Sequence, residues 1–151
     1  MIRENLVFFR NDLKTDKECL EFMAGEIDKC GLLNDKEEYL EAVYRREEEF
    51  STAVGFGVAI PHGKTDAVKE SFIAFLKSEE PVLWGKDKLP SQLIFLIGVP
   101  DREKSVTHLK YLAQISRHLM DEDFRADLLN CKTIREAYVY LNKINDGIKG
   151  E

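Results

Sequence analysis

The apolar positions of this chain follow helical spacing near both ends and strand spacing in the middle. At three places, a Thr or Asn is followed three residues later by Glu, as in a helix capping box; these begin at Thr15, Asn34 and Thr133. They predict one helix from residue 15 to about 30, a second from 34 and a last from 133. Apolar residues at helical spacing predict two further helices, over 104–119 and 121–129.

Short apolar segments outside these helices are typical of β-strands. They span residues 5–9, 57–60, 71–76 and 92–99. The last is apolar almost throughout, which is typical of a central strand covered on both faces. Helices near both ends and strands in the middle predict an α/β fold, a three-layer α/β/α sandwich with a mixed central sheet. We expect residues 1–151 to form a single domain.

Composition and charge restrict the class of protein. The chain of 151 residues is 44% hydrophobic and 33% charged, a profile typical of soluble globular proteins. Its longest strongly apolar run, residues 93–99, is far shorter than the ~20 residues that span a bilayer, and the first residues lack the pattern of a signal peptide. Basic residues are scattered among acidic ones, and the net charge is −6. We therefore expect no nucleic-acid binding and no membrane insertion.

The cysteines indicate a reducing compartment. Cys19 and Cys30 are eleven positions apart in one predicted helix, roughly 16 Å at 1.5 Å per residue. That distance is too great for a disulfide. With Cys131 the count is odd, so we interpret Cys19 and Cys30 as small core residues and expect a cytoplasmic location.

His62 is the strongest candidate for chemistry. An apolar strand runs directly into Pro61, His62 and Gly63. Proline ends the strand because it has no N–H to donate, and glycine leaves room for a phosphate or for another backbone. Sites of α/β domains lie at such strand ends. The alternative is a turn histidine without a role.

The other two histidines lie in the predicted helix 104–119. His108 shares its apolar stripe with Leu112 and Ile115 and has two interpretations. It is either a core histidine bonded to backbone or a partner of His62 at a helix N-terminus, an arrangement that favours an anion such as phosphate. His118 lies off the stripe, and we interpret it as a surface or boundary residue.

Other chemistries lack their motifs. The chain has no zinc-ligand spacing, no phosphate-binding P-loop, no dinucleotide fingerprint and no nucleophile elbow. The acidic runs 47–49 and 121–123 are interpreted as solvated helix ends. What remains is a nucleophilic histidine able to accept a phosphoryl group, because imidazole with a pKa of about 6.5 is largely neutral at cell pH.

Several segments together resemble one known family. Residues 46–52 (REEEFST) and 57–63 (GVAIPHG) are similar to the signature of the fructose/mannitol-type IIA domains of the bacterial phosphoenolpyruvate-dependent sugar phosphotransferase system. The likeness continues in order through residues 84–85 (WG), 93–100 (LIFLIGVP), 107–113 (THLKYLA) and 128–137 (LLNCKTIREA). It covers essentially the whole chain.

The resemblance implies roles for three residues. His62 would be the phosphorylated histidine, reacting through its Nε2 (tele) nitrogen. His108 would orient His62 or donate a hydrogen bond to the phosphoryl group. Arg46, sixteen residues before His62, would bind the phosphoryl oxygens, with Arg45 as the alternative if the register slips. The family fold is a three-layer α/β/α sandwich with a mixed sheet.

The resemblance also implies partners. The phosphoryl group would come from the phosphohistidine of the carrier protein HPr and pass to a IIB domain, without a metal or an organic cofactor. We expect the docking surface to be an apolar patch of Phe56, Val58 and Ile60 around His62. Ala53 and Phe56 stand where many members have Gly and Asn, a departure that bears on the choice of partner.

Three functions remain open. The first is a phosphoryl carrier in sugar uptake, and the second is a nitrogen-regulatory IIA relative that signals by phosphorylation-dependent protein binding. The third, a pure interaction module, has no use for Arg46, His62 and His108 together. Residues 54–60 differ from the glycine/asparagine loop associated with the regulatory branch, which favours the sugar-specific reading. The resemblance implies that the sugar is selected by the membrane IIC domain and not by this chain.

Overall fold

The computed structural model describes residues 1–103 and 105–150 and gives a mixed sheet flanked by helices. The strands in this part of the chain are β1 (Ile2–Phe9), β2 (Ala53–Gly55), β3 (Val58–Ala59), β4 (His62–Lys64), β5 (Phe72–Trp84) and β6 (Leu89–Val99). The helices are α1 (Asp16–Lys29), α2 (Lys36–Glu49), α3 (Ser105–Leu119), α4 (Glu122–Asn130) and α5 (Ile134–Gly150).

Strand β6 is the centre of the sheet. The order is β1-β5-β6-β3-β2, and β4 also pairs with β6. Strands β3 and β4 run parallel to β6, whereas β5 runs antiparallel to it. The seven residues 93–99 of β6 are buried. This confirms the predicted central strand and the mixed sheet.

Two apolar clusters cover the two faces of the sheet. On one face the core side chains come from α1 and α2, including Leu20, Ile27 and Leu40. On the other face they come from α3, α4 and α5, including Ile115 and Leu141. Burial of apolar surface in these clusters stabilises the fold by about 25 cal/mol per Å². The three-layer α/β/α sandwich is therefore confirmed.

Helix caps follow the sequence signals with one exception. The N–H of Glu18 donates to Thr15 Oγ1 (3.2 Å), and the N–H of Glu136 donates to Thr133 Oγ1 (3.1 Å), as predicted. The prediction for Asn34 was wrong by one residue. Asp35 is the N-cap of α2, because the Asn34 amide is already engaged with the carbonyl of Asp66.

The strands differ from the sequence reading in length and number. The segment predicted over 71–76 continues as β5 to Trp84. Strands β2 and β4 were not predicted, because three-residue segments containing glycine, histidine or lysine carry no apolar alternation. Pro61 separates β3 from β4, as expected of a residue that cannot donate a backbone hydrogen bond.

The cysteine interpretation is half correct. Cys19 is fully buried, but Cys30 is exposed and follows the end of α1 as its C-cap. Cys30 leaves the apolar stripe because the helix ends at Lys29, and Gly31 then turns the chain with a positive φ of 75°.

No helix within the described residues is long and apolar enough to cross a bilayer.

Candidate functional site

His62 begins β4, directly after the break at Pro61. Val58 pairs with Leu93 and His62 with Ile97 of β6. Across the break, the Ile97 N–H still donates to the Pro61 carbonyl (3.0 Å). The chain thus follows β6 from one end toward the other and presents His62 near the C-terminal end of β6.

Gly63 lets α2 approach this strand. A Cβ on Gly63 would lie 3.1 Å from Val43 Cγ2 and 3.2 Å from Tyr39 Cε1, both on α2. Successive strand residues point to opposite faces, so His62 and Lys64 share the face opposite Gly63. The glycine expected to admit a phosphate or a backbone instead admits the side chains of α2.

The His62 ring is held by one of its two nitrogens. Its Nδ1 lies 2.9 Å from the carbonyl oxygen of Ile60. Because a carbonyl only accepts hydrogen bonds, Nδ1 carries the proton. None of the described residues bonds to Nε2, which keeps its lone pair. Burial, and to a smaller extent the charge of Arg46, lowers the pKa of His62 below its ordinary 6.5.

His108 lies in the first turn of α3 with its ring against His62. The two ring centroids are 4.9 Å apart at an interplanar angle of 61°. His108 Nε2 is buried and has no hydrogen-bond partner among the described residues. Burial first, then the charges of His62, Lys64 and Arg46, lowers the pKa of His108 to about 4. His108 is therefore neutral at pH 7 and has one N–H to donate.

Arg46 comes from the last turn of α2. Its Nη1 donates to the carbonyl of Phe50 (3.0 Å), which leaves other guanidinium N–H groups available. Arg46 is half-buried and its neighbour Arg45 is exposed. Together with both histidines they line a pocket of about 290 Å³ whose lining residues are Ala42, Arg45, Arg46, Glu49, His62, Gly63, Lys64 and His108.

Three cations line this pocket against one carboxylate, Glu49. Cations beside a free imidazole nitrogen, two of them half-buried, suit a small, multiply charged anion. A phosphoryl group bonded to that nitrogen has this character.

The whole-chain likeness is borne out by comparison with known families. Residues 1–144 match the family "Phosphoenolpyruvate-dependent sugar phosphotransferase system, EIIA 2". The chain belongs to this family. The resemblance identified from the motifs is thus confirmed.

Two relatives of this EIIA domain support the family assignment. Over 120 residues it is 38% identical to the fructose-specific EIIA component of Haloferax volcanii, covering 79% of this chain and 77% of the relative. Nitrogen regulatory protein IIA-Ntr from Neisseria meningitidis is 25% identical with a TM-score of 0.83, covering 93% of this chain and 95% of that one.

A third comparison concerns the fold alone. Enzyme IIA-Mtl of Escherichia coli, solved in complex with phosphorylated enzyme IIB-Mtl, is 21% identical with a TM-score of 0.74, and each chain is covered completely. The fold of this EIIA domain is therefore shared with both solved structures.

Lys64 of this EIIA domain was not predicted as a site residue. It lines the same pocket as the three residues identified from sequence. The signal was present, since Lys64 follows His62 by two positions and strand residues two apart share a face. It was not used because β4 itself was not predicted.

His118 lies outside this pocket and has its Nδ1 2.9 Å from the Gln114 carbonyl oxygen.

The predicted apolar patch around His62 is wrong. Val58 and Ile60 are buried in the core. Phe56 is 78% exposed, but the adjoining Gly57 accepts from Gln92, at the opposite end of β6 from Ile97. Val58 and Ile60 pack in the cluster formed with α3, α4 and α5, and Ala59 packs in the opposite cluster, so both faces of this segment are covered.

Proposed function

We propose that this EIIA domain is a phosphoryl carrier of a sugar phosphotransferase system, acting as one domain over residues 1–151 in the cytoplasm. It accepts a phosphoryl group from phospho-HPr on His62 and passes it to a IIB domain. One observation carries the proposal. His62 Nδ1 is fixed on the Ile60 carbonyl while Nε2 is unengaged in a pocket with several cations.

The acceptance step uses the lone pair of Nε2. The lowered pKa keeps His62 neutral at pH 7, so the lone pair is available. Nε2 attacks phosphorus in line with the P–N bond of the donor's phosphohistidine. The Nε2–P bond forms, the donor P–N bond breaks, and its electron pair returns to the donor ring.

The product remains a good phosphoryl donor. Nδ1 of His62 keeps its proton on the Ile60 carbonyl, so the phosphorylated ring has imidazolium character and leaves as neutral imidazole. A IIB nucleophile can then take the group by the same in-line path in reverse. The carbonyl of Ile60 thereby supports both accepting and donating.

His108 and Arg46 act on the phosphoryl oxygens. The N–H of neutral His108 donates a hydrogen bond, and the guanidinium of Arg46 offers donors in a planar fork suited to a phosphoryl group. Charge developing on the equatorial oxygens is stabilised by groups already in position, which costs little reorganisation.

Similarity supports a sugar-specific role. The fructose-specific relative is the more similar in sequence, 38% identical against 25% for the nitrogen-regulatory structure. The alternative is a regulator that binds other proteins according to its phosphorylation state, and the TM-score of 0.83 to the Neisseria protein favours it. Transfer onward to a IIB domain separates the two.

The test is phosphoryl transfer with purified components. The protein is incubated with phosphoenolpyruvate, Enzyme I and HPr, and its intact mass is followed. We expect one acid-labile phosphoryl group, absent in His62→Ala and acquired more slowly in His108→Ala. A fructose-type IIB domain is then added, and the mass gain should move to it.

Two outcomes would contradict the proposal. If HPr is phosphorylated and the wild-type protein gains no mass, the carrier role with this donor fails. If His62→Ala gains the group as the wild type does, the site is elsewhere. Retention of the group in the presence of every IIB domain tested would favour the regulatory alternative.

A further inference from the structure

Lys64 is a cation of the His62 pocket that forms no ion pair with the residues that the structure describes. It is half-buried and lines the pocket. Its side chain forms no hydrogen bond or ion pair with any residue in 1–103 or 105–150. A partly desolvated ammonium without an anionic partner is unfavourable, so the pocket is electrostatically incomplete until an anion enters it.

The strand geometry directs Lys64 to the side of His62. His62 pairs with Ile97 and Lys64 with Val99 in one uninterrupted register. Gly63 between them faces Val43 and Tyr39 of α2. The two side chains on either side of Gly63 therefore emerge on the same face.

The electrostatics of the pocket agree with this placement. The charge of Lys64 contributes to lowering the pKa of His108, and its contribution exceeds that of Arg46. Lys64 thus lies close enough to the paired histidines to act on a charge between them.

We propose that Lys64 is a third phosphate-binding residue, which donates to the oxygens of the phosphoryl group on His62 and balances its charge. This rests on the proposed function, since it requires His62 to be the phosphorylated residue. Lys64 comes from β4 and Arg46 from α2, so two separate elements supply the cations. An ammonium on a flexible stem can follow the group as it moves from donor to His62 and on to the acceptor.

The test uses phosphoramidate as a small phosphoryl donor, which removes any dependence on a partner protein. Nε2 of His62 attacks phosphorus, the P–N bond of phosphoramidate breaks, and ammonia leaves with the protons already on its nitrogen. The variants are Lys64→Met, Lys64→Arg and Lys69→Met. Lys69 is exposed and lies outside the pocket, so Lys69→Met is a control that removes the same charge elsewhere.

We expect Lys64→Met to be phosphorylated about tenfold more slowly, the loss typical of one charge-assisted hydrogen bond. Lys64→Arg should recover most of the rate, and Lys69→Met should equal the wild type. A ³¹P NMR titration of the phosphorylated protein adds a readout that a structural role would not move. Losing a nearby cation should raise the pKa of the phosphoryl group in Lys64→Met alone.

The outcomes separate this inference from the proposed function. If Lys64→Met matches the wild type in rate and in phosphoryl pKa, the inference is overturned and the carrier role stands. If the wild type reacts with phosphoramidate but not with phospho-HPr, the assignment of HPr as donor fails. The comparison of Lys64→Met with the wild type still tests the role of Lys64. If His62 takes the group from neither donor in folded protein, both are overturned.

Discussion

Two pockets lie on either side of the C-terminal half of α2, and the larger one is not the candidate site. The pocket between α1, α2 and the β5–β6 turn has a volume of about 430 Å³, against about 290 Å³ for the pocket of His62. Adjacent residues of α2 line the two pockets, Arg46 the smaller one and Glu47 the larger one. What differs is how their polar groups are satisfied.

The larger pocket satisfies its inward-facing polar groups within the protein. The Glu47 carboxylate accepts from the Thr52 N–H (2.8 Å) and from the Thr52 hydroxyl (2.5 Å). The same hydroxyl accepts from Trp84 Nε1 (3.2 Å). Asp16 accepts from the Gly85 N–H (3.0 Å).

The pocket of His62 has the opposite character. Within the described residues, Lys64 has no partner, His108 Nε2 is buried without a hydrogen bond, and His62 Nε2 is unengaged. The unsatisfied groups, rather than the volume, distinguish a binding site from the scaffold that supports it. Variants of adjacent residues can test this difference.

The largest effect should come from Arg46→Met. We expect phosphoryl acceptance from phospho-HPr to fall about hundredfold, because a charged fork of donors is lost from the transition state. Rapid-quench kinetics measure it. Arg45→Met is the matched comparison, and its loss should be at least tenfold smaller because Arg45 is exposed. Equal losses would contradict the assignment of Arg46.

Glu47→Ala should affect stability instead of transfer. It leaves the buried N–H of Thr52 without an acceptor, which costs about 2 kcal/mol of unfolding free energy. Urea unfolding measures it. Glu48→Ala, an exposed neighbour on the same pocket, should change the unfolding free energy by less than about 0.5 kcal/mol. A Glu47→Ala protein of wild-type stability would refute the scaffold role.

The pH dependence of stability should report His108. Its pKa is about 4 in the folded protein and ordinarily 6.5, so between these values the unfolded chain binds a proton that the folded protein does not. Stability therefore falls as the pH decreases from about 6.5 toward 4. His108→Asn should reduce this slope in urea unfolding at a series of pH values. Part of the slope should remain in His108→Asn, because the pKa of His62 is lowered as well.

The smallest effect should come from Lys86→Met. Lys86 is exposed and lines the larger pocket. We expect phosphoryl acceptance to match the wild type within twofold and the unfolding free energy to change by less than about 0.5 kcal/mol. A tenfold slower transfer would show that the larger pocket takes part in docking or chemistry.

Features with local causes could be predicted from the sequence. The caps at Thr15 and Thr133 depend on residues three positions apart, and β6 is identified by its continuous apolar run. The break at Pro61 follows from the missing N–H of proline. Recognition of His62, His108 and Arg46 depended on likeness to a family as well as on local chemistry.

Features that depend on residues distant in the chain could not be predicted from the sequence. Asp35 rather than Asn34 caps α2, because Asn34 is drawn to Asp66. Val58 and Ile60 are buried in the core, although we expected them in a docking surface around His62. Lys64 became visible as a pocket residue only when β4 was placed beside β6.

The sequence by itself determined the type of fold, the proline break and which histidine follows it, since each arises from residues close together in the chain. Tertiary structure alone brought α2, β4 and α3 to one pocket and placed three cations there against one carboxylate. The physical reason is that a hydrogen bond or a close packing contact is decided by distance in space. Gly63 shows this, because only the approach of Val43 and Tyr39 explains why a side chain is absent there.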